Sequence, residues 1–239
     1  MSINACAAEA DSVWYKAEGG LPKVRTDGES LRIREQLNVR LANSNWEAEM
    51  LGETPFIEVV PGLAMYCEWM MLSENGEYWR RHISTEMMEQ MGMNRKELMG
   101  AAIRCSMQRR PPVMLAFEDE EMGTENLLCG ESPLENMENA MYILTTRDFM
   151  LGAVALFYPG VQERISTLMG GSYYAIPSSI HEFIILPDRE FYTYEFLLHM
   201  LLSANREILE PGDELSERLY YYNDANGKLV CCERVPPEV

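Results

Sequence analysis

The stretch Leu168–Pro187, LMGGSYYAIPSSIHEFIILP, constrains the fold of this chain more than any other. Gly170-Gly171 follows a helical pattern and supplies the left-handed backbone that commonly ends a helix. Ser172–Ile176 and His181–Leu186 then read as strands, rich in aromatic and β-branched residues, around a Pro177-Ser178-Ser179 turn. A helix stop, a strand, a stiff turn and a second apolar strand imply a sheet packed on a core.

The flanking chain extends that pattern. Before it, Pro159 can open a helix whose buried face is Val161, Ile165, Leu168 and Met169. After it, Asp188 is a good N-cap for a helix over Arg189–Leu209, with Phe191, Tyr194, Leu198, Leu201 and Ile208 at helical spacing. Arg218–Tyr222 and Lys228–Arg234 flank the turn residues Asn223–Gly227, which predicts a C-terminal hairpin. Upstream, Thr54–Val60, Leu63–Leu72 and Glu77–Ile83 read as strands, the last two joined through Asn75-Gly76. Ser84 caps a short helix over Thr85–Met91. Asn94 with Glu97 forms a capping box for a second helix, ended at Pro111-Pro112, and Val113–Phe117 is a strand.

Two further assignments follow from periodicity. Ile33, Leu37, Leu41, Ser44, Ala48 and Leu51 recur at spacings of three and four and predict an amphipathic helix stopped by Gly52. Met141–Thr146 and Ala153–Tyr158 read as apolar strands joined by a hairpin over Arg147–Gly152. Residues 1–30 hold turn signals and little periodicity, which predicts an irregular arm before a single domain over 31–239. Strands mixed irregularly with helices, with hairpins outnumbering crossovers, give the class α+β: a mainly antiparallel mixed sheet packed against several helices.

Charge narrows the partners. Thirty-eight acidic residues against 20 basic ones leave a formal net charge of −18. Such a surface repels polyanions, so neither direct nucleic-acid binding nor attachment to an anionic membrane is expected, and a basic protein is the favoured partner. No basic residue occurs between Pro111 and Thr146. There Glu118, Asp119, Glu120, Glu121 and Glu125 head an acidic segment, read as a loop with a short helical piece that could bind a basic surface or imitate a phosphate backbone. The beginning of the chain has no basic n-region and no apolar h-region, and the longest apolar run, around Met150–Tyr158, is well short of the ~20 residues a membrane helix needs. With six cysteines and no C-x-x-C pair, the reduced cytoplasm is the expected compartment.

Candidate chemistry is sparse. Ser178, Ser179, His181 and Glu182 lie close together and invite a hydrolase reading. No G-x-S-x-G elbow supports it, and alternation within a strand from His181 would turn His181 and Glu182 to opposite faces. The histidines, His82, His181 and His199, lack ligand spacing, so no metal and no cofactor is expected. Cys231-Cys232 would face opposite sides of a strand. Tyr220-Tyr221-Tyr222, Tyr192, Tyr194 and Met87, Met88, Met91 and Met93 are more large side chains than one core face can hide, which makes Tyr220 and Tyr222 candidate contact residues for a protein partner, against the plainer reading that they pack in the core.

Several segments resemble an uncharacterised bacterial family, domain of unknown function 5688. They are Arg40–Trp69 (RLANSNWEAEMLGETPFIEVVPGLAMYCEW), the helix start over Met91–Leu98, Met141–Thr146, Gly152–Ile165 (GAVALFYPGVQERI), Gly171–Pro187 and Leu219–Leu229. The likeness spans roughly Leu31–Arg234. It implies a gut Firmicutes-type source and frequent occurrence on mobile elements, but no activity, cofactor or catalytic residue. Members carry a longer N-terminal helical region, so residues 1–30 look shortened against the family. The expected role is a non-enzymatic protein-interaction module. The alternatives are an acidic nucleic-acid mimic or anti-defence protein, and a cryptic hydrolase using Ser178 or Ser179 with His181.

Overall fold

A computed structural model describes residues 36–72, 78–118, 121–130, 133–134, 141–207 and 212–232. The expected arm over 1–30 lies outside them, as do Asp119, Glu120 and the Asn75-Gly76 turn. The elements run β1 (Leu37–Asn43), α1 (Ala48–Glu53), β2 (Phe56–Val60), β3 (Leu63–Leu72), β4 (Tyr78–His82), α2 (Thr85–Gln90), α3 (Arg95–Arg109), β5 (Pro112–Glu118) and β6 (Glu121–Met122). There follow a 3-10 turn at Leu127–Cys129, β7 (Met141–Thr146), a 3-10 segment at Gly152–Phe157, α4 (Val161–Met169), β8 (Tyr173–Pro177), β9 (Phe183–Pro187), α5 (Tyr194–Glu207), β10 (Tyr220–Asn223) and β11 (Lys228–Cys231).

The strands form two antiparallel sheets. In the smaller, β3 pairs with β1, β2 and β4; in the larger the order is β11-β10-β8-β9-β7-β5-β6. The fold is α+β, and the C-terminal hairpin is present, with Tyr220 opposite Cys231 and Asn223 opposite Lys228. Alternation divides the larger sheet cleanly. Met114, Tyr142, Leu144, Phe183, Ile185, Tyr173, Ala175, Tyr220 and Tyr222 face the main core. Ile143, Ile184, Leu186, Ile176 and Leu219 face the other way, onto Leu197 and Leu201 of α5. Cys231 and Cys232 separate in the same manner, one against each apolar layer.

Three assignments from periodicity are corrected. The segment from Leu37 is a strand, not a helix, and only Ala48–Glu53 is helical. A spacing of four is a multiple of two, so Leu37 and Leu41 fit both periods; Val39 between them joins the same core and fits only the strand. Ala153–Tyr158 is not a strand. Gly152–Phe157 is a 3-10 segment whose Ala153, Val154, Ala155 and Leu156 are all fully buried. A run enclosed on every side has no alternation for sequence to reveal. It touches β1 and β7, and so lies between the two sheets. Helix α5 begins at Tyr194, where Thr193 Oγ1 accepts from the Phe196 N–H; Asp188 instead accepts the Tyr221 hydroxyl at 2.8 Å.

Among the described residues no strand pairs with the edge of β1 away from β3, and α3 supplies partners there. Ser106 Oγ accepts from the Val39 N–H at 2.8 Å, and Arg109 donates to the Leu37 carbonyl. This blocks an edge that would otherwise template aggregation. The predicted capping box at the start of α3 is present in both directions, Asn94 with the Glu97 N–H and Glu97 with the Asn94 N–H. Asn94→Ala is expected to cost about 1 kcal/mol and to lower the thermal midpoint by about 2–4 °C, read by calorimetry.

Candidate functional site

The turn after β8 brings the predicted Ser-His-Glu cluster together, but in an arrangement that ties backbone segments rather than activating a hydroxyl. Ser178, Ser179 and His181 are only 7%, 5% and 7% exposed. Ser178 Oγ donates to Glu182 Oε1 at 3.1 Å, and Ser179 Oγ accepts from the His181 N–H at 3.0 Å. Neither hydroxyl bonds an imidazole nitrogen. Nδ1 of His181 accepts the Leu151 N–H at 2.9 Å, so in the neutral ring the proton sits on Nε2. Nε2 points towards Asp213 Oδ1 at 3.6 Å, beyond hydrogen-bond reach. β9 begins at Phe183, so the premise that His181 and Glu182 alternate within a strand does not apply. Burial raises the Glu182 carboxyl above its ordinary range, against the Ser178 hydrogen bond and the nearby His181, which lower it.

The same junction gathers the loop after β7. The His181 carbonyl accepts from Thr145 Oγ1 at 2.8 Å, and the Ile180 carbonyl from the Ala153 N–H. Phe149 and Leu151 both hold left-handed backbone, at φ 57° and 50°. Arg110 reaches Asp148 at 2.9 Å and Thr146 at 3.3 Å. Three separate stretches are thus tied together: Thr145–Ala153 to Ser178–Glu182 by the bonds just described, and Asp213 through its carbonyl, which accepts from the Ile180 N–H at 2.8 Å. His181 Nε2 is buried without a hydrogen-bond partner among the described residues, so the junction is held through Nδ1 and backbone groups. Sequence offered His181 as a candidate base beside the serines; the structure places it against Leu151 and Asp213, which carried no signal that could mark them.

The candidate contact residues fare differently. Tyr220 and Tyr222 are not surface residues: both point inward from β10 and are at most 2% exposed, with Tyr222 stacked on Tyr173 at 5.0 Å. Met87 and Met91 are likewise buried, and Met88 and Met93 are half-buried against the same core. Among the described residues the large aromatic side chains that do reach solvent are elsewhere: Trp46 and Phe149, each apart, and Phe191 and Phe196, which share a neighbour. Phe191 is 58% exposed and Phe196 52%. Tyr192 lies between them, its ring 4.4 Å from Phe191 and stacked at 6.1 Å on Phe196. Periodicity placed Phe191 on a buried helix face; the helix starts three residues later, so that face is Leu197, Leu201 and Ala204 instead.

The acidic segment reaches the same end of the larger sheet. β5 turns into β6 with Glu118 directly opposite Glu121, and Glu118, Glu121 and Glu125 are exposed. Phe117 and Met122 of this hairpin, Met141 and Tyr192 pack, half-buried, against one apolar layer. Burial raises the Tyr142 hydroxyl above its usual range; Glu118 adds to the shift and Arg189 opposes it, so both charges act on one point. Beside the aromatic rings stand Asp188 and Glu190, both exposed, with Arg189 between them. Exposed aromatic rings and exposed carboxylates thus both occur around this end of the larger sheet.

Other chemistry finds little support among the described residues. No group of three or more His, Cys, Asp or Glu is placed to hold a metal ion. Cys67, Cys105, Cys129, Cys231 and Cys232 are free thiols, and burial raises Cys232 to about 12, far from a reactive thiolate. No described helix is long and apolar enough to cross a membrane. No curated protein and no solved structure matches the chain. A family model described as a family of unknown function, DUF5688, matches residues 15–224, which is most of the chain, and includes every element from β1 to β10. The chain therefore belongs to the DUF5688 family.

Proposed function

We propose that this protein is a non-enzymatic interaction module that docks another protein on the surface around Phe191, Tyr192 and Phe196. The observation that carries this reading is the pair of half-exposed phenylalanine rings that meet Tyr192, Phe191 tilted against it at 4.4 Å and Phe196 stacked on it at 6.1 Å. Leaving each ring half exposed forgoes about 1–1.5 kcal/mol of burial, and aromatic side chains are enriched at protein interfaces. The serine–histidine turn supports catalysis poorly, because its hydroxyls are engaged with Glu182 and the backbone. A phosphate-backbone mimic has a use for Glu118 and Glu121 but none for exposed phenylalanine.

The reading is tested by comparative capture. Wild-type chain and the F191A/F196A variant are immobilised side by side and exposed to lysate of the organism that encodes them. A specific partner is expected to be retained by wild type and reduced at least about tenfold on the variant. Equal retention by both would remove the basis for this surface. The two residues are exposed, so the variant is expected to melt within about 2 °C of wild type.

A further inference from the structure

We infer that the partner presents arginine side chains to this surface, stacked on Phe191, Tyr192 and Phe196 and paired with Glu118, Glu121 and Glu190; the inference rests on the interaction reading just proposed. Two independent observations converge. The first is the aromatic array. A planar guanidinium stacks on an aromatic face and is drawn to its negative centre, and an array with rings 4.4 and 6.1 Å apart offers several such faces to one segment. The second is the set of carboxylates. Glu118 and Glu121 stand opposite each other across the β5–β6 turn, like charges whose cross-strand repulsion a bound cation would relieve. Asp188 and Glu190, next to Phe191 in the chain and exposed, carry the same sign, and Arg189 is the one described basic residue in the 188–196 segment.

Charge also selects among occupants. A second copy of this chain would bring the same carboxylates and a net charge of −18 of its own, so self-association through this face is opposed. Nucleic acid and anionic lipid are repelled for the same reason. An arginine-bearing segment with interspersed apolar residues satisfies both halves of the surface: its apolar side chains meet Phe117 and Met122, half-buried beside the rings, and its guanidinium groups meet the rings and carboxylates.

The test uses the full chain and two synthetic peptides, one alternating leucine with arginine and one with glutamine in place of each arginine. Binding is measured by calorimetry at low and at high salt, with wild type, F191A/F196A and E118Q/E121Q/E190Q. The arginine peptide is expected to bind wild type and to weaken at least about tenfold on F191A/F196A. On E118Q/E121Q/E190Q it is expected to weaken several-fold and to lose most of its salt dependence. The glutamine peptide is expected not to bind. Equal binding of the arginine peptide to F191A/F196A would reduce the effect to net charge and overturn the inference. Equal binding of the glutamine peptide would overturn it too, while leaving an apolar docking surface intact. Binding of neither peptide overturns the arginine partner; the capture experiment judges the interaction role separately, because it needs no assumption about the partner's chemistry.

Discussion

Gly152→Ala is expected to destabilise this protein by about 3 kcal/mol or more, a large share of an ordinary domain's stability. A Cβ at Gly152 would overlap the Thr145 hydroxyl, and would lie 2.5 Å from the Thr146 nitrogen and 2.7 Å from the His181 carbonyl. Two of the three obstacles are main-chain atoms of packed segments, which cannot swing aside as a surface side chain would. The backbone at Gly152 is itself accessible to any residue, so the cost is steric. Gly92→Ala is the matched control: open space surrounds that position, but its φ is +63°. It should cost only about 1–2 kcal/mol, from left-handed strain alone. Urea unfolding of both variants separates the two effects, and a Gly152→Ala protein as stable as Gly92→Ala would show that the junction is looser than described.

His181→Ala is expected to cost about 2–4 kcal/mol, and His181→Asn to recover about half of it. Alanine leaves the Leu151 N–H buried without its acceptor, at the point where the chain enters the 3-10 segment with φ at 50°. It also removes the imidazole facing the Asp213 carboxylate. Asparagine carries its Oδ1 on the same γ carbon that bears Nδ1 in histidine, so it can accept the Leu151 N–H in place of the ring. Glutamine places its oxygen one bond further out and should recover less. Chemical denaturation of the three variants measures the order; alanine, asparagine and glutamine losing equally would mean that the Leu151 bond contributes nothing and that His181 acts through its volume.

Much of the architecture was legible in the chain, and the failures share a cause. The Asn94–Glu97 capping box, the stop at Gly170 and the C-terminal hairpin depend on local chemistry, and the structure contains them where the residues imply. What local chemistry cannot carry is the choice between two periods that a short segment satisfies equally. Leu37 and Leu41 fit a helix, and Val39 decided for the strand by packing with them against the opposite sheet. The fully buried run Ala153–Leu156 had no polar face to betray its conformation. The same limit governs the candidate site. Tyr220 and Tyr222 were counted as surplus because one core face could not hold them, but two sheets share that core and it does. Phe191 was assigned to the buried side of a helix that begins only at Tyr194, and with that shift the exposed aromatic surface went unseen. Glu118 and Glu121 were found as part of an acidic run; that they close a hairpin beside the aromatic array depends on sheet order, which no local pattern encodes.

The central claim is that the surface carrying Phe196 meets another protein in the cell. A photo-crosslinking amino acid placed at position 196 tests it directly, with the same residue at position 86, on the exposed side of α2, as the reference. The docking account predicts a discrete heterologous adduct from position 196, absent from position 86 and weakened several-fold when Glu118, Glu121 and Glu190 are changed to glutamine in the same chain. No adduct from position 196, or the same adducts from both positions, would contradict it.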